Sequence, residues 1–148
     1  MLIRELKSEE VPLLKDCMEG LAEYHNRVAL SFAGEYPMMP IEIHLRHMAE
    51  HIENGTALIL GVFSKNGALS GFAMASCEGR FGEIDYLFIK KKLRGERFGK
   101  LLVQRLLVYL KKRGVDFVDV HVVLGNPAKS FYEKFGFQLR SETLSMKI

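Results

Sequence analysis

The stretch from Ile84 to Lys100, IDYLFIKKKLRGERFGK, contains a strand pattern, a basic loop and the start of an amphipathic helix. A helix start leaves several backbone N–H groups unpaired and carries the positive end of the helix dipole. When a strand leads into such a helix through glycines, here Gly95 and Gly99, the amides form a site for phosphate oxygens. The nearby cations are Lys90, Lys91, Lys92, Arg97 and Lys100. The stretch predicts a site for a phosphate-bearing ligand, although on its own it also fits a core strand, a solvated lysine run and a packed helix.

Two common phosphate-binding motifs do not fit this loop. A P-loop needs four residues between its first glycine and the Gly-Lys pair, followed by Ser or Thr for magnesium. Only three residues separate Gly95 from Gly99, and Leu101 follows Lys100. The G-x-G-x-x-G turn of dinucleotide-binding domains is absent as well. The loop therefore argues against nucleoside triphosphate hydrolysis and against a nicotinamide or flavin dinucleotide.

Composition limits the class of protein and its partners. A chain of 148 residues fits one domain, residues 1–148, with a single core. The net charge is only +3 and the cations cluster, which favours a local anion site over nucleic-acid binding. Cys17 and Cys77 form no C-x-x-C pair, and no apolar run reaches membrane-spanning length. We expect a cytoplasmic protein without nucleic-acid or membrane partners; the sequence leaves monomer and homodimer open.

The first third of the chain predicts an edge strand, two helices and an irregular loop. Leu2 to Leu6 alternates weakly, and Ser8 is placed to cap a helix that ends near Tyr24. From His25 to Pro40 the periodicity fails, as is typical of a binding loop. A second helix follows, with Ile41, Leu45, Met48 and Ile52 on one face. The segment Glu23 to Pro40 is the predicted acceptor side, with Tyr24, His25, Glu35 and Tyr36 as its lining.

Three histidines, His44, His47 and His51, share another face of the second helix. That spacing raises the question of a metal site. No cysteine or carboxylate cluster accompanies them, so we favour a polar flank beside the apolar stripe and predict no metal.

The middle of the chain predicts three consecutive antiparallel strands. Thr56 to Phe63 and Leu69 to Cys77 are joined by an Asn66-Gly67 turn, for which we expect positive φ at both positions. In the second strand, small residues alternate with large ones, which indicates close packing on one face. The third strand runs from about Glu83 to Ile89.

The second half predicts a strand–helix–strand unit. A helix begins near Phe98 and ends at Gly114, and Val115 to Val123 has apolar residues on both faces, as a central buried strand does. A right-handed crossover would make this strand parallel to the preceding one. Where an antiparallel sheet turns parallel it must open, and a ligand could enter there. Asn126 can then cap a short helix, and Phe137 to Met146 fits a final strand.

Two segments together resemble the GCN5-related N-acetyltransferases. That family's coenzyme loop has Gln or Arg, two residues, Gly, one residue, then Gly or Ala; Arg94 and Gly99 match its ends, and Arg97 replaces the middle glycine. Its later motif runs Asn-x-x-Ala-x-x-(Phe/Leu)-Tyr-x-Lys-x-Gly-Phe. The matching residues are Ala128, Phe131, Tyr132, Lys134, Gly136 and Phe137. Asn126 sits one position later than the usual asparagine.

The resemblance implies a fold and a coenzyme. The fold is α/β (α+β), with a mixed, mostly antiparallel sheet of six to seven strands and about four helices. The coenzyme is acetyl-CoA, bound without metal. The cofactor-binding residues implied are Leu87, Phe88, Ile89, Arg94, Gly95, Glu96, Arg97, Phe98, Gly99, Lys100 and Asn126. The backbone of Leu87 to Ile89 would pair with the pantetheine arm as an added strand does.

The implied reaction is direct attack of a primary amine on the thioester, in a ternary complex. Glu83 resembles the strand glutamate used as general base, and Asp85 is the second choice. Tyr132 resembles the general acid that protonates the departing thiolate, and the Leu87 amide resembles the oxyanion donor. An acetyl-enzyme through Cys77 lacks a partner base in the sequence. The alternative function is an acyl-CoA-binding regulatory domain without catalysis.

Overall fold

The computed structural model describes all residues from Met1 to Ile148. In chain order the strands are β1 (Leu2–Glu5), β2 (Ala57–Phe63), β3 (Leu69–Glu78), β4 (Phe81–Ile89) and β5 (Phe117–Val120). The helices are α1 (Lys15–Val28), α2 (Ile41–Glu53), α3 (Phe98–Lys112) and α4 (Ala128–Glu133). Two 3-10 helices, Ser8–Leu14 and Lys91–Leu93, precede α1 and the loop before α3.

The strands form one sheet in the order β1-β2-β3-β4-β5. Neighbours are antiparallel from β1 to β4, and β5 lies parallel to β4. This confirms the predicted antiparallel meander and the parallel pair formed through the α3 crossover. The mixed sheet with four helices confirms the expected fold class.

The sheet has five strands and not the predicted six to seven. Residues 137–146 form no strand, and from Gln138 onward no backbone amide donates to a backbone carbonyl. The apolar residues of this tail change phase, with Leu139 on one alternation and Leu144 and Met146 on the other, so no single face could be buried. The tail is instead held by ion pairs of Arg140 with Asp119 and of Lys147 with Glu35.

The prediction that Val115 to Val123 is a central, buried strand is wrong. β5 covers only Phe117–Val120 and is an edge strand, with Phe117 50% exposed. The apolar residues on its two faces have different roles. Val118 and Val120 pack towards α3, whereas Phe117 stacks on Phe81 at the surface.

Helices cover both faces of the sheet. One apolar cluster joins the first 3-10 helix, α1 and α2 to the sheet through Leu14, Met18, Met48, Phe72 and Met74. The other joins α3 to the small residues Ala73 and Ala75 of β3, which confirms the predicted close packing on one face. The fully buried side chains on α3 are Leu102, Val103, Leu106 and Leu110. Burial of each of these side chains stabilises the fold by about 1.5–3 kcal/mol. Their packing against the sheet fixes the start of α3 relative to β4.

The start of the first helix differs from prediction. Ser8 does not cap an α-helix: Ser8–Leu14 is a 3-10 helix, and the Ser8 hydroxyl donates to Glu9. Glu10 pairs with Arg4 and accepts the Lys7 amide at 3.0 Å, and these bonds lower the pKa of Glu10 to about 2. α1 then continues past Tyr24 to Val28, because the polar turn His25–Val28 keeps helical hydrogen bonds although it lacks an apolar stripe.

The β2–β3 hairpin is confirmed with a different turn. Gly67 has φ +84°, but Asn66 does not share the positive φ expected of it. The turn is longer, because the Ser64 amide bonds the Ala68 carbonyl. No helix in the structure has both the length and the apolar composition to cross a membrane.

Candidate active site

The loop between β4 and α3 presents a run of free amides. No N–H from Gly95 to Lys100 donates to a backbone or side-chain acceptor, and the first bonded amide is that of Leu101, which donates to Arg97 O at 3.1 Å. Gly95 has φ 90° and Arg97 has φ 65°, so the chain turns through left-handed conformations just before the helix. The α3 start is therefore an anion site without an internal partner.

Beside these amides lies a cleft of about 330 Å³, here called the α3 cleft. Its lining residues are Ile89, Leu93, Arg94, Gly95, Arg97, Phe98, Gly99, Lys100 and Phe131. A Cβ on Gly99 would stand 3.8 Å from Cζ of Phe131 and 3.9 Å from Cδ2 of Leu87. Phe131 of α4 thus forms one wall of the cleft. The absence of a side chain at Gly99 helps to keep the cleft open.

The structure brings together most of the residues predicted to bind the cofactor, but not all. Four of the predicted residues do not line the cleft. Leu87 and Glu96 are neighbours of it in the chain, Phe88 points to the opposite face of β4, and Asn126 follows β5. Sequence reasoning missed two lining residues, Leu93 and Phe131. Phe131 belongs to the second family motif, but its position in that motif does not show that it borders the cleft.

The sheet opens beside this cleft. β4 and β5 pair only from Phe81–Phe117 to Ile84–Val120, so the edge of β4 from Asp85 to Ile89 has no strand partner on this side. Asn126, beyond the opening, accepts the Ala128 amide at 2.9 Å and lies 3.5 Å from the Tyr24 hydroxyl. Asn126 thus caps α4 as predicted and also borders the opening.

Tyr132 lies on α4 with its ring in the core. It is 6% exposed and packs edge-on against Phe131 and Phe137, with ring centroids 5.1 Å and 5.7 Å away. Burial raises the pKa of Tyr132 to about 12. The phenol therefore keeps its proton at neutral pH, and no group of the protein is hydrogen-bonded to the hydroxyl.

Two carboxyl groups of β4, Glu83 and Asp85, lie beside a β-bulge. Met74 pairs with Tyr86 and Ala75 with Ile84, which leaves Asp85 as the extra residue of β4. Asp85 Oδ1 accepts the Ser76 hydroxyl at 3.0 Å, and Oδ2 is buried without a partner.

The two carboxyl groups differ in their surroundings. Burial, and then the neighbouring Glu83 side chain, raise the pKa of Asp85 to about 8. The Glu83 side chain is 39% exposed, and its Oε1 lies 3.4 Å from His121 Nε2. At neutral pH, Asp85 is mostly protonated, whereas Glu83 is open to solvent.

The predicted acceptor segment folds against α1. Asn26 accepts the amides of Gly34 and Tyr36 at 2.8 Å and 2.9 Å and donates to the Tyr36 carbonyl at 2.8 Å. The ring of Tyr36 packs 5.6 Å from that of His25, whose pKa is lowered by burial. One asparagine thus fixes this segment near the opening, since Tyr24 on the same helix reaches Asn126.

The α2 histidines serve separate partners. His44 Nδ1 lies 2.7 Å from the Tyr86 hydroxyl, and His51 Nδ1 lies 2.8 Å from Thr56 Oγ1. No group of three or more His, Cys, Asp and Glu side chains converges in the structure. Cys77 packs half-buried beside the α3 cluster.

Known proteins match this chain in family and in fold. The family model described as Acetyltransferase (GNAT) family matches residues 21–137. No curated protein sequence gives a significant match.

Solved structures with the same fold include a predicted acetyltransferase from Clostridium acetobutylicum, determined with acetyl-CoA. It has a TM-score of 0.77 and 20% identity, covering 99% of this chain and 95% of that chain. PaiA N-acetyltransferase from Thermoplasma acidophilum, in complex with coenzyme A, has a TM-score of 0.73 and 23% identity, covering 96% and 92%. At such identities these structures establish the fold.

Proposed function

The chain belongs to the acetyltransferase (GNAT) family, and we propose that it transfers an acetyl group from acetyl-CoA to a primary amine of a small molecule or protein. The observation that carries this proposal is the run of free amides from Gly95 to Lys100, which opens onto the α3 cleft. Backbone N–H groups at a helix start suit a pyrophosphate, and the likeness to structures with acetyl-CoA and with coenzyme A supports that ligand. The active unit is a single domain of residues 1–148.

Residues along the α3 cleft would hold the coenzyme in two parts. The loop Arg94 to Lys100, including Glu96, supplies amides and positive charge for the pyrophosphate. The unpaired edge of β4 at Leu87, Phe88 and Ile89 offers backbone groups to the amides of the pantetheine arm. Asn126 lies at the far side of the opening and contributes its side-chain amide.

The reaction needs a base, because an alkyl amine is mostly protonated at pH 7. Glu83 takes this role: its carboxylate is partly exposed and lies on the strand that opens. Asp85 does not take it at neutral pH, since its pKa of about 8 leaves it mostly protonated. Because Asp85 is mostly neutral below about pH 8, it places no second negative charge beside Glu83 at neutral pH.

The departing thiolate needs a proton, and Tyr132 donates it. A phenol whose pKa is raised to about 12 by burial stays protonated throughout the working pH range. The free amide of Leu87 at the edge of β4 would stabilise the negative oxygen that develops as the amine attacks the carbonyl carbon.

A non-catalytic acyl-CoA-binding domain is the second candidate. Two observations favour it: Arg97 occupies a left-handed position where the family has glycine, and the Asn126 oxygen is already bonded to the Ala128 amide. Release of free thiol from acetyl-CoA in the presence of a panel of amines separates the two functions. Amine-dependent release supports the enzyme, whereas coenzyme binding without release for any amine supports the regulatory domain.

A further inference from the structure

A second cleft lies on the other face of β4, against α1. It has a volume of about 280 Å³ and is here called the α1 cleft. Its lining residues are Asp16, Gly20, Glu23, Arg27, Phe88, Lys90, Lys91 and Arg94. Consecutive residues of β4 point into different clefts, Phe88 into this one and Ile89 into the α3 cleft, while Arg94 borders both.

The α1 cleft is built from one face of the helix. Asp16, Gly20, Glu23 and Arg27 recur at intervals of four, three and four residues, which aligns them along α1. Gly20 lets the ring of Phe88 approach the helix, because a Cβ on Gly20 would stand only 2.7 Å from Cζ of Phe88. The cleft therefore has an aromatic floor with charged walls.

The charged walls of the α1 cleft are not paired with each other. Four cationic and two anionic side chains line it. The ion pairs of the protein are Arg4–Glu10, Arg80–Asp116, His121–Glu83, Arg140–Asp119 and Lys147–Glu35, and none of them involves a lining residue. Cationic and anionic side chains therefore surround the α1 cleft without pairing, and the cationic ones are in excess.

Two of the cations are fixed against one ring at the end of the cleft. The guanidinium carbons of Arg27 and Arg94 lie 5.4 Å and 5.2 Å from the Tyr24 ring centroid, and Arg94 Nε donates to the Ile89 carbonyl at 2.9 Å. Both guanidinium groups therefore bring positive charge to this end of the cleft, which favours an anion there. The Tyr24 hydroxyl lies 3.5 Å from Asn126 Oδ1, so this end of the cleft adjoins the opening between β4 and β5.

We propose that the α1 cleft binds the acid group of the acceptor, which is a small amine that also carries a carboxylate or a phosphate. Arg27, Lys90 and Lys91 hold the acid group, and Glu23 and Asp16 attract a second ammonium group of the ligand, distinct from the amine that is acetylated. This inference rests on the proposed function. Carboxylate and phosphate share the chemistry that the cations recognise, and the test separates them.

The test is a calorimetric titration of the full chain, with and without saturating coenzyme A, using four probes. Glutarate carries two carboxylates, and glutamate carries these and an ammonium group. O-phosphoserine has a phosphate in place of the side-chain carboxylate of glutamate, and putrescine is purely cationic. We expect glutamate or O-phosphoserine to bind more tightly than glutarate, and putrescine not to bind. Tighter binding of glutamate would identify a carboxylate as the acid group, and tighter binding of O-phosphoserine would identify a phosphate. If putrescine binds more tightly than every acidic probe, the proposal is wrong.

Matched variants locate the binding. Arg27→Gln and Lys91→Gln should each weaken the binding of the acidic probes roughly 10-fold, because each substitution removes a charged hydrogen-bond donor. Glu23→Gln removes the preference for glutamate over glutarate. Lys15→Gln, an exposed cation on α1 outside the cleft, leaves all affinities within twofold. Equal losses in Lys15→Gln and Arg27→Gln would show general charge attraction and overturn the site.

The failure of this inference is distinguishable from failure of the proposed function. Arg27 lies on α1 and does not line the α3 cleft, so its variant should bind coenzyme A like the unchanged protein. In turnover, Arg27→Gln should raise KM for an acid-bearing amine about 10-fold with kcat unchanged. Normal coenzyme binding without acid-probe binding overturns the inference alone. Loss of coenzyme binding by the unchanged protein overturns the proposed function.

Discussion

The Ser76 hydroxyl lies 3.0 Å from Asp85 Oδ1, and the other carboxyl oxygen of Asp85 is buried without a partner. One bond to a neutral hydroxyl does not offset the cost of burying a charge. The pKa of Asp85 therefore rises from 3.8 to about 8 on folding. Two predictions concern this carboxyl group.

The first is a loss of stability with rising pH. Folded Asp85 binds its proton more tightly than unfolded Asp85, so its contribution to the free energy of unfolding falls between about pH 4 and pH 8. Asp85→Asn mimics the protonated form and should be more stable than the unchanged protein at pH 8.5 by more than about 1 kcal/mol. At pH 4 the two should be equal. Urea unfolding at both pH values measures the difference; a constant difference between the proteins contradicts the buried, protonated state.

The second prediction assigns the base. Glu83→Gln should lower kcat at pH 7 by roughly 10²-fold, because the carboxylate that accepts the amine proton is lost. Asp85→Asn should keep kcat at pH 7 within about threefold, since Asp85 is already mostly protonated there. Steady-state assays of both variants with one amine decide between the carboxyl groups. The reverse order of losses would move the role to Asp85.

The third prediction concerns the buried phenol. Tyr132→Phe should reduce turnover by roughly 10²-fold and leave coenzyme affinity nearly unchanged, because the ring keeps its packing and only the proton donor is lost. Tyr109→Phe, which removes a hydroxyl bonded to Arg113 on the far part of α3, serves as the control. Unchanged turnover in Tyr132→Phe would remove this residue from the mechanism.

The fourth prediction separates the backbone of Arg97 from its side chain. A non-glycine residue at φ 65° carries strain, so Arg97→Gly should raise the free energy of unfolding by about 1 kcal/mol. Arg97→Ala keeps the strain and should show no such gain. Both variants lose one positive charge at the α3 cleft and should bind the coenzyme about equally weakly. A stability gain in the alanine variant would mean that charge repulsion, and not φ, is the cause.

The sequence predicted the elements whose determinants are local. The α3 start, its loop and the Asn126 cap depend on residues close together in the chain, and all three were found as expected. The bulge at Asp85 could not be predicted, because it depends on the register in which β3 and β4 pair. For the same reason the sequence named Asp85 as a candidate base without showing that it is buried.

The final segment shows the opposite error. Leu139, Leu144 and Met146 have the composition of a strand, but their alternation changes phase, and no face of the sheet buries them. The α1 cleft was missed because it forms only when α1 packs against the end of β4. The only sign of the α1 cleft in the sequence is a row of charged residues at helical spacing.

The central claim is that the free amides at the start of α3 bind coenzyme A. A Cβ on Gly99 makes only ordinary contacts, the nearest at 3.8 Å from Phe131, whereas a longer side chain must enter the α3 cleft. Isothermal titration of coenzyme A into the unchanged protein, Gly99→Ala and Gly99→Leu measures this directly. We predict similar affinities for the first two and a loss of at least about 10-fold for Gly99→Leu, with all three proteins equally folded. Absence of heat from the unchanged, folded protein at millimolar coenzyme A would contradict the account.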